Sequence, residues 1–236
     1  MSRIFWAGDS TVKENNYTTY PQTGIGQGMR LYIKKETEII NHGENGRSTK
    51  SFLEEFRLAD IYNHMREGDF LFIQFGHNDG KTQDPARFAD AFSDYSKNLE
   101  RFVNAARNKK AHPVFITPLS RRYFIGENHL EERIHGDYPK AMKDTGKRLG
   151  VPVIDLYSMS REFLEKVGEA ESRKFFMHLA PGEYPNYPEG LTDNTHLKYE
   201  GAVAFAGLIA AGLKELGEIY RDLLIEPEET YGVNKD

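Results

Sequence analysis

The sequence of 236 residues contains no cysteine and no long apolar run, and each absence excludes a class of protein. Without cysteine there are no disulfide bonds, no zinc–thiolate or iron–sulfur sites and no thiol catalysis. The longest apolar stretches, such as residues 70–75, are far too short to cross a bilayer, so we expect no membrane span. Basic residues are outnumbered, because 31 Lys and Arg against 36 Asp and Glu leave a net charge of −5. This balance argues against a nucleic-acid partner or a polybasic membrane surface.

Two further patterns are missing. The histidines show no metal-binding spacing such as H-E-x-x-H, so we expect neither a metal nor another cofactor. The first ten residues become polar too early for the apolar part of a secretory signal, and a cytoplasmic protein is therefore expected. With no repeat and no shift of composition, we predict a single domain over residues 1–236. The sequence does not indicate an oligomeric state.

What is present is an alternation of short apolar segments and longer amphipathic ones. The apolar segments predict five strands, at residues 3–7, 38–41, 69–75, 113–117 and 151–155. The amphipathic segments predict helices at residues 51–64, from the Asp84–Pro85 cap to residue 106, and at 138–149 and 199–216. Residues 121–137 and 176–195 are predicted to be long loops. Nearly continuous apolar strands are typical of a parallel sheet, so we predict a three-layer α/β/α sandwich around five parallel strands.

Polar residues follow the predicted strands, at the end of the sheet where open α/β folds bind ligands. Ser10 follows the first strand, Gly46 the second and Asn78 the third. Asp193 and His196 precede the last predicted helix. A serine needs a base to become a nucleophile, and His196 can be that base, oriented by Asp193 three residues earlier. The backbone N–H groups of Ser10 and Gly46 and the amide of Asn78 can form an oxyanion hole.

In this order, the segments at residues 8–10, 46, 76–79 and 193–196 resemble the four blocks of the SGNH (GDSL-type) hydrolases. Thr11 after the serine, together with residues 45–48 and 117–122, is similar to the rhamnogalacturonan acetylesterases within that group. The resemblance implies the flavodoxin-like SGNH fold and a cofactor-free Ser–His–Asp esterase. Its expected substrate is an acetylated acidic oligosaccharide derived from rhamnogalacturonan (pectin).

An acidic substrate gives a reason to consider basic residues near the strand ends. Arg47, Arg121 and Arg122 are candidates to bind a galacturonate carboxylate, because a guanidinium forms paired hydrogen bonds with it. Each could equally be an ordinary surface arginine. His77 is a candidate to line the pocket or to support it.

Other functions stay open at this point. Another SGNH activity is possible: a sialate or xylan acetylesterase, a thioesterase or a lysophospholipase. A carbohydrate-binding protein without catalysis is a further alternative, although every catalytic position is filled.

Overall fold

The computed structural model describes residues 2–225 and places five parallel strands in one sheet. The strands are β1 (Arg3–Gly8), β2 (Glu38–Asn41), β3 (Phe70–Gln74), β4 (His112–Ile116) and β5 (Val153–Ile154). They pair in the order β2–β1–β3–β4–β5, with Ile4 of β1 aligned with Ile39 of β2 and Phe70 of β3. The five predicted strands are confirmed. Residue 1 and residues 226–236, which the single-domain prediction includes, lie outside the described residues.

Helices fill the connections between strands, and a two-stranded hairpin lies beside the sheet. The helices are α1 (Ile25–Met29), α2 (Thr49–Glu54), α3 (Arg57–His64), α4 (Ser96–Asn108), α5 (Tyr138–Leu149), α6 (Leu156–Val167), α7 (Glu169–Ser172), α8 (Tyr199–Glu215) and α9 (Glu218–Arg221). A π-helical turn at Ala91–Tyr95 precedes α4, and a 3₁₀ turn occupies Arg173–Phe175. The hairpin consists of β6 (Phe176–Leu179) and β7 (Leu191–Leu197). Of the helices between residues 2 and 225, none combines the length and apolar character needed to cross a bilayer.

Alternate side chains of the sheet enter two separate cores. Ile4 and Trp6 of β1 pack in one core with residues of α1, α6 and α8, such as Phe205. Phe5 and Ala7 pack in the other core, with residues of α2, α3, α4 and α5. This alternation follows from the two-residue repeat of a strand. Helices therefore cover both faces of the sheet, which confirms the three-layer α/β/α sandwich.

The prediction of one helix over residues 51–64 is wrong, because α2 and α3 are separated at Phe56. The backbone of this exposed residue is left-handed, with a φ of 58°. In an unbroken helix, Leu58 would lie about 240° around the axis from Phe52, facing away from the core that Phe52 enters. The break allows both side chains to be buried in the same core.

The helix expected directly after Asp84 begins later than predicted. The side chain that caps it is Asp90, whose Oδ1 accepts hydrogen bonds from the N–H and the hydroxyl of Ser93 at 3.1 and 2.8 Å. The N–H of Ala89 donates to the carbonyl oxygen of Asp79 at 3.1 Å, which holds the preceding segment against the loop after β3. This contact between distant residues is not visible in the local pattern.

Residues 176–195, predicted to be a loop, contain the hairpin instead. β6 and β7 are antiparallel, with His178 opposite Thr192 and Leu179 opposite Leu191. Most residues of β7 are polar and only partly buried, so the strand lacks the apolar signal that predicts the others. The correction bears on the site, because β7 carries Asp193 and His196.

Candidate active site

Ser10 lies at a tight turn directly after β1. The N–H of Val12 donates to the carbonyl oxygen of Asp9 at 3.1 Å. The Oδ1 atom of Asp9 accepts hydrogen bonds from the N–H and the hydroxyl of Thr11 at 2.9 and 2.8 Å. A Cβ atom at Gly8 would lie 2.8 Å from a methyl group of Val12, so a larger residue would crowd the turn. These contacts hold Ser10, half-buried, at the end of the sheet.

Two consecutive hydrogen bonds join Ser10, His196 and Asp193. The Oγ atom of Ser10 lies 2.9 Å from Nε2 of His196, and Nδ1 of His196 lies 2.6 Å from Oδ2 of Asp193. Because an ionised carboxylate only accepts hydrogen bonds, Nδ1 carries the proton and Nε2 can accept one from the serine hydroxyl. The structure thus brings together three residues predicted from the sequence. This arrangement can convert the serine hydroxyl into a nucleophile.

His196 and two backbone N–H groups keep Asp193 ionised. Its Oδ1 atom accepts hydrogen bonds from the N–H groups of Thr195 and His196, at 2.7 and 3.0 Å. Burial raises the pKa of Asp193, but the hydrogen bonds and the charge of His196 outweigh burial and lower that pKa to about 2. The Asp193 side chain therefore carries its negative charge throughout the neutral range.

Gly46 and Asn78 lie on the loops that follow β2 and β3. Gly46 has a φ of 73°, a left-handed conformation that favours glycine. The Nδ2 atom of Asn78 donates to the carbonyl oxygen of Arg47 at 3.0 Å, which joins the two loops. An amide nitrogen carries two protons, so a second one is left for a substrate oxygen.

Asp79 forms a second link between the same two loops. This buried carboxyl accepts hydrogen bonds at Oδ1 from the N–H and the hydroxyl of Thr49, at 2.8 and 2.6 Å. Its Oδ2 atom has no partner among residues 2–225. Burial raises the pKa of Asp79 to about 7, although the hydrogen bonds from Thr49 act in the opposite direction. Because Thr49 lies just after Gly46, this link holds both loops of the site in place.

We expect Asp79→Asn to remove a pH dependence from the free energy of unfolding. Folded Asp79 keeps its proton up to about pH 7, whereas in the unfolded chain it loses the proton near the ordinary pKa of 3.8. The stability linked to that proton is fully present below the unfolded pKa and is lost as pH rises through the folded one. Asparagine does not titrate, so the variant gains stability relative to wild type over this interval, by up to about 4 kcal/mol.

Urea unfolding of both proteins between about pH 4 and pH 8 measures this difference. A difference between variant and wild type that stays constant across the interval would contradict the assignment of the proton to Asp79.

His77 is buried and connects the serine turn to the interior of the protein. Its Nδ1 atom donates to Oδ2 of Asp9 at 3.0 Å, and its ring packs edge-on against His135, with the ring centroids 4.6 Å apart. Burial raises the pKa of Asp9, but the charge of His77 and the hydrogen bonds from His77 and Thr11 lower it below the ordinary value. Asp9 is therefore an ionised anchor beneath the turn that carries Ser10.

The structure gives Arg47 and Arg121 different surroundings. Arg47 is ion-paired with Glu55 at 2.9 Å, at the end of α2. Arg121 forms no ion pair with a carboxylate of residues 2–225. Its Nη2 atom donates to the carbonyl oxygen of His77 at 3.2 Å, and its Nε atom is buried without a partner among those residues. Arg121 is thus the more available of the two for a ligand.

Arg122 is buried against strand β7, where it contacts the residue next to Asp193. Its Nη1 atom donates to Oδ1 of Asn194 at 3.2 Å, and its Nε atom donates to Oγ of Ser172 at 2.9 Å. An ion pair with Glu169 at 2.7 Å neutralises its charge. These contacts occupy the guanidinium and give Arg122 the means to position β7.

Two cations near these loops were missed in the sequence. The Nη1 atom of Arg87 lies 3.4 Å from the place where a Cβ of Gly46 would stand. Lys81 has a lowered pKa, first because of burial and then because of the charges of Arg87 and Arg121. No motif marks these residues, and only the folded chain shows that they are close.

The side chains of the site indicate which type of reaction it can support. Within the described part of the chain, no three His, Asp or Glu side chains form a group that could hold a metal ion. The site presents a serine hydrogen-bonded to a histidine, and the loops that carry Gly46 and Asn78 follow the two strands that flank β1. That combination is suited to acyl transfer.

Comparisons with known proteins agree with this geometry. A profile of the GDSL-like Lipase/Acylhydrolase family matches residues 7–204. The chain is 42% identical over 226 residues to rhamnogalacturonan acetylesterase RhgT of Bacillus subtilis, which covers 96% of this chain and 95% of that protein. It is 37% identical over 216 residues to the probable rhamnogalacturonan acetylesterase YesY of the same organism, with 92% and 94% covered.

A solved structure shows the same fold. Protein YxiM of Bacillus subtilis superposes with a TM-score of 0.78 at 21% identity over 92% of this chain. That protein is longer, and this chain spans 57% of it. The family match and the two relatives above 30% identity establish the family and the type of reaction. The chain belongs to the GDSL-like lipase/acylhydrolase family and is a carboxylic ester hydrolase.

Proposed function

We propose that this hydrolase removes acetyl groups from acidic oligosaccharides derived from rhamnogalacturonan. The names of the two relatives support the substrate, because RhgT and YesY are matched over more than 90% of both chains. One observation carries the reaction: the hydrogen-bonded chain from Ser10 through His196 to Asp193. The proposal covers the catalytic residues as well as the substrate.

In the first half of the reaction, the Oγ atom of Ser10 attacks the carbonyl carbon of the acetyl ester. Its proton moves to Nε2 of His196, 2.9 Å away, as the new bond forms. Asp193 stabilises the resulting imidazolium through the hydrogen bond at Nδ1. The bond between the carbonyl carbon and the sugar oxygen then breaks, and the imidazolium gives its proton to that oxygen. The products are the free sugar hydroxyl and an acetyl group on Ser10.

In the second half, water takes the place of the serine. His196 accepts a proton from water as the water oxygen attacks the acetyl carbon. When the tetrahedral intermediate collapses, the proton returns to Oγ of Ser10 and acetate leaves. No other reactant is needed, because both halves exchange only protons and the acyl group.

The oxyanion of both tetrahedral intermediates needs hydrogen-bond donors. We assign this role to the N–H groups of Ser10 and Gly46 and to the side-chain amide of Asn78. The bonds from Asn78 to Arg47 and from Thr49 to Asp79 fix the two loops relative to each other before substrate binds. Such fixed donors stabilise the transition state because they do not have to reorient during the reaction.

We expect Asn78→Ala to lower kcat far more than it raises KM. The donor acts on charge that exists only in the transition state, so its loss costs about 2.7–4 kcal/mol, or roughly 10²- to 10³-fold in kcat. Steady-state kinetics on an aryl acetate measure both constants. Asn63→Ala, an exposed asparagine on α3, is the matched control and leaves both constants unchanged. An effect of Asn78→Ala on KM alone would assign this residue to substrate binding.

The substrate distinguishes this proposal from the alternatives. Acetate release from acetylated rhamnogalacturonan, acetylxylan and acetylated sialic acid is compared at equal enzyme concentration. Hydrolysis of a long-chain acyl ester and of a thioester is measured under the same conditions. We expect the highest kcat/KM on rhamnogalacturonan fragments. If another of these esters were preferred, the proposed substrate would be wrong, but the proposed mechanism would still hold. No turnover of any of them would favour a binding protein.

The cytoplasmic location expected from the sequence also belongs to this proposal. It requires that the substrate reach the enzyme as imported oligosaccharides. Fractionation of the producing cells, with immunodetection of the protein in each fraction, tests the location.

A further inference from the structure

A pocket of about 330 Å³ opens beside the loop that follows β3. Its lining is basic and polar, and within residues 2–225 it includes no Asp or Glu. The lining residues that matter here are His77, Lys81, Arg121 and His135. The proposed mechanism does not use this pocket.

Two cations in the pocket lack a counter-ion in the described chain. Lys81 and Arg121 are both partly buried, and neither is ion-paired with a carboxylate of residues 2–225. Arg121 donates from Nη2 to the carbonyl oxygen of His77, while its buried Nε atom has no partner in that part of the chain. Partly buried charges without partners are costly, so a bound anion would stabilise both groups.

The nearby carboxylates are already engaged. Asp84 and Asp9 are close enough to act on Lys81, but Asp84 is ion-paired with Arg87 and Asp9 accepts hydrogen bonds from His77 and Thr11. Burial and the charges of Arg87 and Arg121 lower the pKa of Lys81, and these acids offset the decrease only in part. The local field at the pocket is therefore positive.

Named residues connect the pocket to the candidate active site. His77, in its wall, donates to Asp9, the residue before Ser10. Arg87, whose charge acts on the lysine of the pocket, stands 3.4 Å from the Cβ position of Gly46. The N–H of Lys81 also donates to the carbonyl oxygen of Asn78 at 3.3 Å, so the lysine of the pocket lies one turn beyond the proposed oxyanion donor.

We infer that this pocket binds the carboxylate of a uronic acid unit of the acetylated oligosaccharide. This inference rests on the proposed function and specifies how its acidic substrate is recognised. The guanidinium of Arg121 can form two parallel hydrogen bonds with a carboxylate through its two Nη groups, and the ammonium of Lys81 supplies a further donor. The two cations gain the counter-ion that the described chain does not provide.

His135 adds an acceptor suited to a sugar hydroxyl. Its Nε2 atom lies 2.7 Å from the carbonyl oxygen of Leu119, so that nitrogen carries the proton and donates it. Burial, with the charges of His77 and Arg121, lowers the pKa of His135 well below its ordinary value. Its Nδ1 atom therefore carries no proton and can accept one from a hydroxyl. The pocket therefore offers two cationic donors and one acceptor. A carboxylate flanked by hydroxyl groups fits these three groups better than a simple inorganic anion does.

The first test uses inhibition, which does not depend on the natural substrate. Wild-type hydrolysis of an aryl acetate is measured with galacturonate, with galactose and with inorganic phosphate. We expect galacturonate to inhibit and the other two to have little effect. Lys81→Met and Arg121→Gln weaken galacturonate inhibition roughly 10- to 100-fold, the range for hydrogen bonds to a charged group. Lys81→Arg keeps the charge, so we expect this variant to retain most of the galacturonate inhibition.

The second test uses turnover. The ratio of kcat/KM on acidic oligosaccharide to that on aryl acetate falls by a similar factor in Lys81→Met and Arg121→Gln. Lys97→Met, an exposed lysine on α4, is the matched control and leaves the ratio unchanged.

Three results would overturn the inference: equal inhibition by galactose, equal inhibition by phosphate, or galacturonate inhibition that all the variants retain. Failure of the wild type to deacetylate rhamnogalacturonan would refute the proposed substrate instead. The inhibition test would still decide whether the pocket binds a uronate.

Discussion

Ser10→Ala abolishes nearly all turnover of an aryl acetate, with kcat lower by roughly 10⁴- to 10⁶-fold. The expectation follows from the geometry, because the hydroxyl of Ser10 is the group hydrogen-bonded to His196 at 2.9 Å. Without it, His196 and the oxyanion donors can assist only direct attack by water, which leaves a small residual rate. The side chain is half-buried at a turn held by Asp9, so removal of one oxygen atom leaves the fold intact.

Two measurements accompany the kinetics of Ser10→Ala. Thermal unfolding shows whether the variant keeps the stability of the wild type, which separates lost chemistry from lost structure. Mass spectrometry after treatment with a serine-reactive phosphonate locates the nucleophile, and we expect one adduct, at Ser10, that is absent from the variant. Turnover close to wild type in Ser10→Ala, or an adduct on another serine, would overturn the proposed mechanism.

The central sheet was predictable because its signal is local. A strand that is buried on both faces appears in the sequence as an apolar run. β1 and β3 are such strands, because every residue from Ile4 to Gly8 and from Phe70 to Gln74 is buried. The residues after those strands fall at one edge of a parallel sheet whatever the details of packing. The fold class and the position of Ser10 and Asn78 at one edge of the sheet were therefore within reach of the sequence.

Elements stabilised by distant contacts were not predictable. Strand β7 is polar and pairs with β6 across eleven intervening residues, so no local pattern marks it. The segment before α4 is held by the hydrogen bond from Ala89 to Asp79, which overrides the capping signal at Asp84. In both cases the decisive interaction is tertiary.

The same limit applies to the basic residues of the site. Arg121 and Arg122 are neighbours in sequence and look equivalent there. In the fold, Arg122 meets Glu169, 47 residues away, whereas Arg121 meets no carboxylate of residues 2–225. Lys81 and Arg87 gain their interest only from where the loop after β3 places them. Whether an arginine is structural or available to a ligand depends on its partners, which the sequence alone does not reveal.

Asp193→Asn lowers kcat about 10⁴-fold, because it changes which nitrogen of His196 carries the proton. The Asp193 carboxylate accepts from Nδ1, which leaves Nε2 without a proton and able to take one from Ser10. An asparagine amide that donates to Nδ1 instead would place the proton on Nε2. His196 would then donate to the serine rather than accept from it, and the hydroxyl would lose its base.

The ionised state of Asp193 determines how activity and stability depend on pH. Since its pKa is about 2, this carboxyl is ionised above about pH 4, and its protonation does not limit wild-type activity there. Its lowered pKa also stabilises the fold: that contribution is present above the unfolded pKa of 3.8 and is lost as pH falls through about 2. Asp193→Asn therefore loses some stability at neutral pH, which urea unfolding measures separately from kcat.

Asp60→Asn is the matched control for Asp193→Asn, because Asp60 also lies beside a histidine, 3.4 Å from Nδ1 of His64, but on the exposed side of α3. We expect it to leave kcat unchanged. If Asp193→Asn kept more than about a tenth of wild-type kcat, the loss would be less than about 1.4 kcal/mol in transition-state stabilisation. That is too little for a residue that sets the protonation of the base, and Asp193 would then be assigned to holding β7 in place.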